Sequence, residues 1–174
     1  WEESQGVNGY VSIEVSPELA FDATGTVEEA KTLFEWIDRP NIMIKVPGTQ
    51  ECLPAITELL GAGIPVNVTL LFSVERYKAV VDAHIKGLEQ RLANGGELKH
   101  VASVASFFIS RVDSAVDPVI EDKDPSLMGK AAIANAKIAY RYFQEIYQGE
   151  RFAALAQAGA QVQRLLWAST STKN

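Results

Sequence analysis

Lys45 lies in residues 41–47, NIMIKVP, a short strand-like run where a charged side chain is hard to place. Strand side chains alternate between faces, so Ile42, Ile44 and Val46 point one way while Met43 and Lys45 point the other. If the aliphatic face packs on helices, Lys45 points into the centre of the fold. Burying an ammonium there is costly unless it is paired or loses its proton. A neutral amine in a dry pocket adds to carbonyls, and the resulting Schiff base is an electron sink made from lysine alone. The alternative is an edge-strand lysine whose head group reaches solvent.

Two further segments share this division of faces. In residues 10–15, YVSIEV, the side chains of Val11, Ile13 and Val15 share one face and Ser12 and Glu14 the other. In residues 65–70, PVNVTL, the pattern predicts that Val66, Val68 and Leu70 face together and oppose Asn67 and Thr69. Three strands with an aliphatic outside and a polar, chemically capable inside predict helices on one side and a shared polar interior on the other. That is the catalytic end of a β/α barrel.

The elements that must position these residues alternate regularly. After residues 10–15 the spacing predicts a helix over 26–38, with Thr26 as N-cap and Glu29 at the capping-box position. The strand at 41–47 comes next, then a helix over 53–60 stopped by Gly61-Ala62-Gly63, and the strand at 65–70. Ser73 is placed to cap a long helix to about 94, ended by Gly95-Gly96. A strand over 101–109 leads to a polar, proline-bearing loop over 113–125. Helices over 128–147 and 151–157 precede a last strand over 164–168. Five strands with helical crossovers imply a parallel sheet or barrel. A complete eight-unit barrel needs about 250 residues, and this α/β chain of 174 residues offers about five units, so residues 1–174 read as one partial barrel. The chain opens at Trp1 and closes at Asn174 in an expected loop, which suggests an internal piece of a longer protein; an open doubly wound sheet is the competing architecture.

Composition narrows the function classes. The chain is 47% hydrophobic and 22% charged with a formal charge of −6, enough for one ordinary core. The acidic balance disfavours a nucleic-acid surface. No apolar run approaches the ~20 residues that cross a bilayer. The single cysteine, Cys52, reads as a buried spectator and fits a reducing, cytoplasmic setting. His84 and His100 have no carboxylate or cysteine at ligand spacing and read as surface or interface histidines. Lys130 and Lys137 mark a solvated helix edge, while Tyr140, Phe143 and Tyr147 are expected in packing.

Six blocks in order carry a resemblance over almost the whole chain: GYVSIEVSP at 9–17, MIKVPGT at 43–49, NVTLLFS at 67–73, SFFISRVD at 106–113, GKAAIANA at 129–136 and WASTSTKN at 167–174. Together they resemble transaldolases, in particular the longer bacterial type sometimes fused to glucose-6-phosphate isomerase. The resemblance implies a TIM-barrel fold and a class I mechanism without metal or cofactor. In it a dihydroxyacetone unit passes between ketose and aldose phosphates of the pentose phosphate pathway: fructose 6-phosphate, sedoheptulose 7-phosphate, erythrose 4-phosphate and glyceraldehyde 3-phosphate.

By the same resemblance Lys45 matches the Schiff-base lysine, Glu14 and Thr69 the pair holding a catalytic water, and Asn67 a position bonded to the dihydroxyacetone hydroxyls. Glu14 also reads as the partner neutralising Lys45, and Asn67 as a satisfied buried amide. Ser106 matches a substrate contact and Arg111 a phosphate-binding fork, with pairing to Asp113 or another surface acid as its alternative. Lys173 stands where compact transaldolases carry an arginine, keeping the charge without the bidentate geometry.

A family aspartate and asparagine on the first two barrel strands would fall upstream of Trp1. Cleavage needs a positioned proton acceptor, worth about a hundredfold to ten-thousandfold in rate. Exposed strand edges are expected to favour homo-oligomers or pairing with missing segments. A class I sugar-phosphate aldolase and a fragment inactive without its complement are the alternatives.

Overall fold

The structure, a computed structural model, describes residues 1–171. Its strands are β1 (Val11–Glu14), β2 (Ile42–Pro47), β3 (Val66–Leu71), β4 (Ser103–Phe108) and β5 (Arg164–Ala168). Its helices are α1 (Ala23–Ile37), α2 (Leu53–Ala62), α3 (Val74–Ala93), α4 (Ser110–Ile120), α5 (Ala131–Tyr147) and α6 (Glu150–Gln157). All neighbouring strands pair in parallel, and spatial order equals chain order from β1 to β5.

That order decides between the two architectures. A doubly wound sheet reverses its strand order at a switch point. Here each crossover advances the sheet by one strand, and crossovers sharing the usual right hand gather the helices on one face, as in a β/α barrel. On that face Ile44, Val46, Val66, Val68, Ala105 and Phe107 are fully buried in one core with Ile56, Leu59, Leu60, Tyr77, Val80 and Leu88 from α2 and α3.

Local signals set most boundaries. Ser73 accepts from the Arg76 amide as the N-cap of α3, and Gly63, in the left-handed region at φ 87°, ends α2; Gly61 and Ala62 lie within the helix, so Gly63 alone is the stop. The cap of α1 differs from expectation. Asp22 is the N-cap, accepting from the Gly25 amide at 3.0 Å, whereas Thr26 is a buried helical residue donating to the Leu19 carbonyl at 3.1 Å. Glu29 reaches outside its helix to accept from the Ser16 amide at 2.9 Å, which anchors the segment after β1.

Three other expectations are corrected. The segment expected as a loop over 113–125 is mostly α4, which carries Pro118 inside it. It is held by α5 and the turn before it, since Asp113 accepts from the Ala132 amide of α5 and Asp117 from the Gly129 amide just ahead of that helix. Proline weakens a helix locally, and tertiary carboxylate bonds of this kind outweigh it. Leu70 does not share a face with Val66 and Val68. A register shift between Val68 and Leu71 leaves Leu70 exposed at φ 63°, and Leu71 takes the core position. His84 is fully buried in α3 rather than at a surface, with Nδ1 3.1 Å from the Tyr147 hydroxyl. Burial pushes its pKa down to about 3, so the imidazole is neutral. The cause of its burial is the arrival of α5 over α3, where Tyr147 covers the ring.

Phe143 and Tyr147 pack against the core as expected, while Tyr140 is half exposed and stacks on Phe143. Cys52 is buried beside Thr26, and Lys130 and Lys137 are exposed. No helix among the described residues is long and apolar enough to cross a membrane.

Candidate active site

The face of the sheet opposite the helices carries the polar residues. Strand register sets Glu14 beside Lys45 and Lys45 beside Asn67, with Thr69 beside Pro47. Because alternate residues share a face, Ser12, Glu14, Lys45, Asn67, Thr69, Ser106 and Phe108 converge on a trough of about 340 Å³, completed by Leu166 and Ala168 of β5. Eight of these nine side chains come from strand positions two apart, which is why short strands suffice to gather them.

Lys45 Nζ lies 3.3 Å from Glu14 Oε2, with the lysine side chain 30% and the glutamate 53% exposed. An ion pair this open contributes less than about 1 kcal/mol to stability. Its consequence is orientation of the amine beside a carboxylate. The trough is also wetter than the sealed interior expected around Lys45, because the described residues wall it on the sheet side only.

Deeper in the trough the contacts are closed. Ser106, nearly buried, donates to Asn67 Oδ1 at 2.8 Å, and Asn67 Nδ2 donates to Ser12 Oγ at 3.1 Å. An amide has two N–H donors and an oxygen with two lone pairs, so Asn67 keeps one donor and one acceptor site free for a ligand. Thr69 is 2% exposed, and its Oγ1 has no hydrogen-bond partner among the described residues. A buried hydroxyl left without a partner is costly unless water or a ligand reaches it.

Arg111 stands apart from this cluster, in the first turn of α4. Its guanidinium carbon lies 4.9 Å from the centre of the Phe108 ring, and Phe108 also lines the trough. The alternative pairing with Asp113 does not occur, because Asp113 is engaged by α5. The start of α4 is tied to the end of β5, with the Ser110 amide donating to the Ser169 carbonyl at 2.8 Å. Lys173 lies outside the described residues.

The structure thus brings Lys45, Glu14, Asn67, Thr69 and Ser106 into one trough, and sets Arg111 outside it, against the ring of Phe108. Sequence reading set Ser12 on the polar face without giving it a role, and missed Phe108. Alternation could have found Phe108, which lies two residues from Ser106. An amine beside a carboxylate, a free buried hydroxyl and a half-satisfied amide can add to a carbonyl and move protons around the adduct. Among the described residues, no three His, Cys, Asp or Glu side chains gather as a metal site.

Known proteins resemble this chain along nearly its full extent. A family model described as transaldolase/fructose-6-phosphate aldolase matches residues 3–174. A protein named transaldolase from Renibacterium salmoninarum is 53% identical over 98% of this chain and 47% of its own length. Another, from Saccharopolyspora erythraea, is 54% identical over 97% of this chain and 47% of its own length. A third, from Trichodesmium erythraeum, is 50% identical over the whole chain and 49% of its own length. The chain therefore spans about half the length of the curated relatives it matches. Its five singly wound β/α units are an incomplete TIM barrel. With the matched model covering all but the first two residues, the chain belongs to the transaldolase/fructose-6-phosphate aldolase family.

Proposed function

We propose that this chain is the central portion of a transaldolase barrel, residues 1–174 forming one part of a larger domain, and that its amine chemistry acts on sugar phosphates. The observation that carries the reading is Lys45 on the polar face of β2, 3.3 Å from Glu14 and in one trough with a Thr69 hydroxyl that has no partner among the described residues. In this reading Lys45 attacks the ketose carbonyl and expels water to form an iminium. The carbon–carbon bond beyond the donor's third carbon then breaks, and its electron pair is delocalised into the iminium. Glu14 and Thr69 hold the water that moves protons to and from nitrogen and oxygen.

Asn67, fixed by Ser106 and Ser12, offers its free N–H to a donor hydroxyl. Arg111 takes the phosphate beside the trough, helped by the amide end of α4 and by Lys173. The substrates are fructose 6-phosphate and sedoheptulose 7-phosphate as donors, with erythrose 4-phosphate and glyceraldehyde 3-phosphate as acceptors. A cytoplasmic setting is supported by the single, buried cysteine.

A second reading, cleavage without transfer, is supported by the description of the matching family model, which names an aldolase beside transaldolase. Borohydride reduction of the chain with fructose 6-phosphate, followed by intact mass and peptide mapping, tests both. A three-carbon adduct on Lys45 is the expected result if these residues suffice for cleavage. A six-carbon adduct assigns bond cleavage to segments beyond this chain. Discharge of the three-carbon unit to erythrose 4-phosphate distinguishes transfer from plain cleavage, and a folded sample without any adduct overturns the lysine chemistry.

A further inference from the structure

At the exit of β3 the backbone departs from regular alternation at a strained residue. Counting from Asn67 and Thr69, a regular strand would turn Leu71 into the trough and Phe72 toward the helices. The register slips by one residue between Val68 and Leu71, and Leu70 takes φ 63°. For a leucine that conformation costs roughly 1–2 kcal/mol. The side chain gains no burial in exchange, being 43% exposed.

The extra residue inverts the faces of the two residues after it. Leu71 becomes fully buried in the core, and Phe72 is delivered to the trough side, its ring 5.1 Å from that of Phe108 at an interplanar angle of 37°. Phe108 in turn carries the Arg111 guanidinium at 4.9 Å.

Two contacts fasten this corner. The Gly48 amide donates to the Thr69 carbonyl at 2.9 Å, and a Cβ on Gly48 would clash with Leu71 Cδ2 and meet the Thr69 carbonyl oxygen at 3.1 Å. From the other side, Asn135 Nδ2 of α5 donates to the Phe72 carbonyl at 2.8 Å. Strain held in place by its surroundings and located at the edge of a site is where a positioning role is expected.

We propose that Phe72 is a positioning residue for anion recognition: its ring braces Phe108, and through Phe108 it fixes the Arg111 guanidinium beside the trough, so that the phosphate of a sugar phosphate is favoured over an unphosphorylated sugar. The proposal rests on the sugar-phosphate reading of the site. A guanidinium lying on a ring face keeps its N–H edge available for a bidentate oxyanion, and bracing the ring removes alternative positions the cation would otherwise sample. The Leu70 bulge is the device that brings Phe72 there.

Calorimetric binding of sorbitol 6-phosphate tests this apart from the lysine chemistry, because that probe carries the phosphate but no carbonyl. Phe72→Ala is expected to weaken it about tenfold, the scale of one aromatic or cation–π contact. Adding Phe72→Ala to Arg111→Ala should weaken binding no further. Borohydride trapping of dihydroxyacetone, which has no phosphate, should stay within about twofold of the parent chain, because a braced cation acts only on the anion. Phe72→Tyr, which keeps the ring, should restore sorbitol 6-phosphate binding.

Additive losses, unchanged binding, or equal loss of dihydroxyacetone trapping would overturn the proposal, as would failure of the parent chain to bind the probe. If Phe72→Ala does not fold, Phe72→Leu removes the ring while keeping apolar bulk, and the same pattern is required of it. Should the parent bind sorbitol 6-phosphate with these variant effects yet never form an adduct, the lysine reading falls and the anion proposal stands.

Discussion

The two faces of the central strands β2, β3 and β4 obey opposite rules. On the helix side, Ile44, Val46, Val66, Val68 and Phe107 are fully buried in the apolar core. On the other side, one residue along in each case, Lys45, Asn67, Thr69 and Ser106 carry polar atoms. Two are joined by a hydrogen bond, one is ion-paired in the open, and one is left without a partner among the described residues. Stability and chemistry are thus separated by a single step along a strand. A change on the first face is expected to alter folding and leave the trough's chemistry in place, and a change on the second the reverse.

Neighbouring substitutions on β2 should give the strongest response. Lys45→Met should abolish the borohydride adduct entirely while moving thermal stability by less than about 1 kcal/mol, since it removes only an exposed ion pair. Ile44→Ala should do the opposite. Loss of a fully buried isoleucine costs about 2–5 kcal/mol and lowers Tm by on the order of 5–15 °C, with adduct per folded molecule unchanged. If Ile44→Ala impaired trapping in the folded fraction, the two faces would not be independent.

The faces also differ in their response to pH, because the helix side contains a titratable group sealed away. His84 has its folded pKa pushed down to about 3 by burial, below the ordinary value of 6.5. Between those values the unfolded chain binds a proton that the folded chain refuses. Its contribution is therefore constant above about pH 6.5, and stability falls as pH drops toward 3. The slope from this group approaches about 1.4 kcal/mol per pH unit. Urea midpoints between pH 7 and 4 measure it. His84→Asn, whose carbonyl oxygen can accept from Tyr147 without titrating, should remove that component.

The weakest response is expected on the outer surface. Arg151 of α6 bridges Asp82 and Glu89 of α3 at 2.7–2.8 Å, and these partners hold its guanidinium firmly charged while Arg151 helps lower the Asp82 pKa. All three side chains are about 40% exposed. Arg151→Ala should cost no more than about 1 kcal/mol in urea melts, and less as salt rises.

Much of the fold and trough was legible because its signals are local. The last strand begins and ends where the sequence pattern places it, and Ser73 caps α3 as its position before the apolar run predicts. Alternation alone assigned Lys45, Glu14, Asn67 and Thr69 to one face, and the register agrees. The errors cluster where a specific partner overrides a local preference. Pro118 argued for a loop, and carboxylate bonds to α5 and the turn before it made a helix. Thr26 had capping-box spacing, and Asp22 with its own short-range bond took the role. Leu70 fitted the aliphatic face until the bulge moved it out.

Local sequence was sufficient for the face that most strand residues present and for the succession of the five strands, though not for α4. Both derive from the period-two geometry of extended chain and from residue types at turns. Which side chains touch was left to long-range packing. Asn67 is held by Ser12 and Ser106, 55 and 39 residues away, and His84 is covered by Tyr147, 63 residues away. The Phe72, Phe108 and Arg111 stack exists only because one strained residue inverts a strand end against its neighbour. Contacts of that kind depend on register and crossover geometry, which no window of local sequence contains.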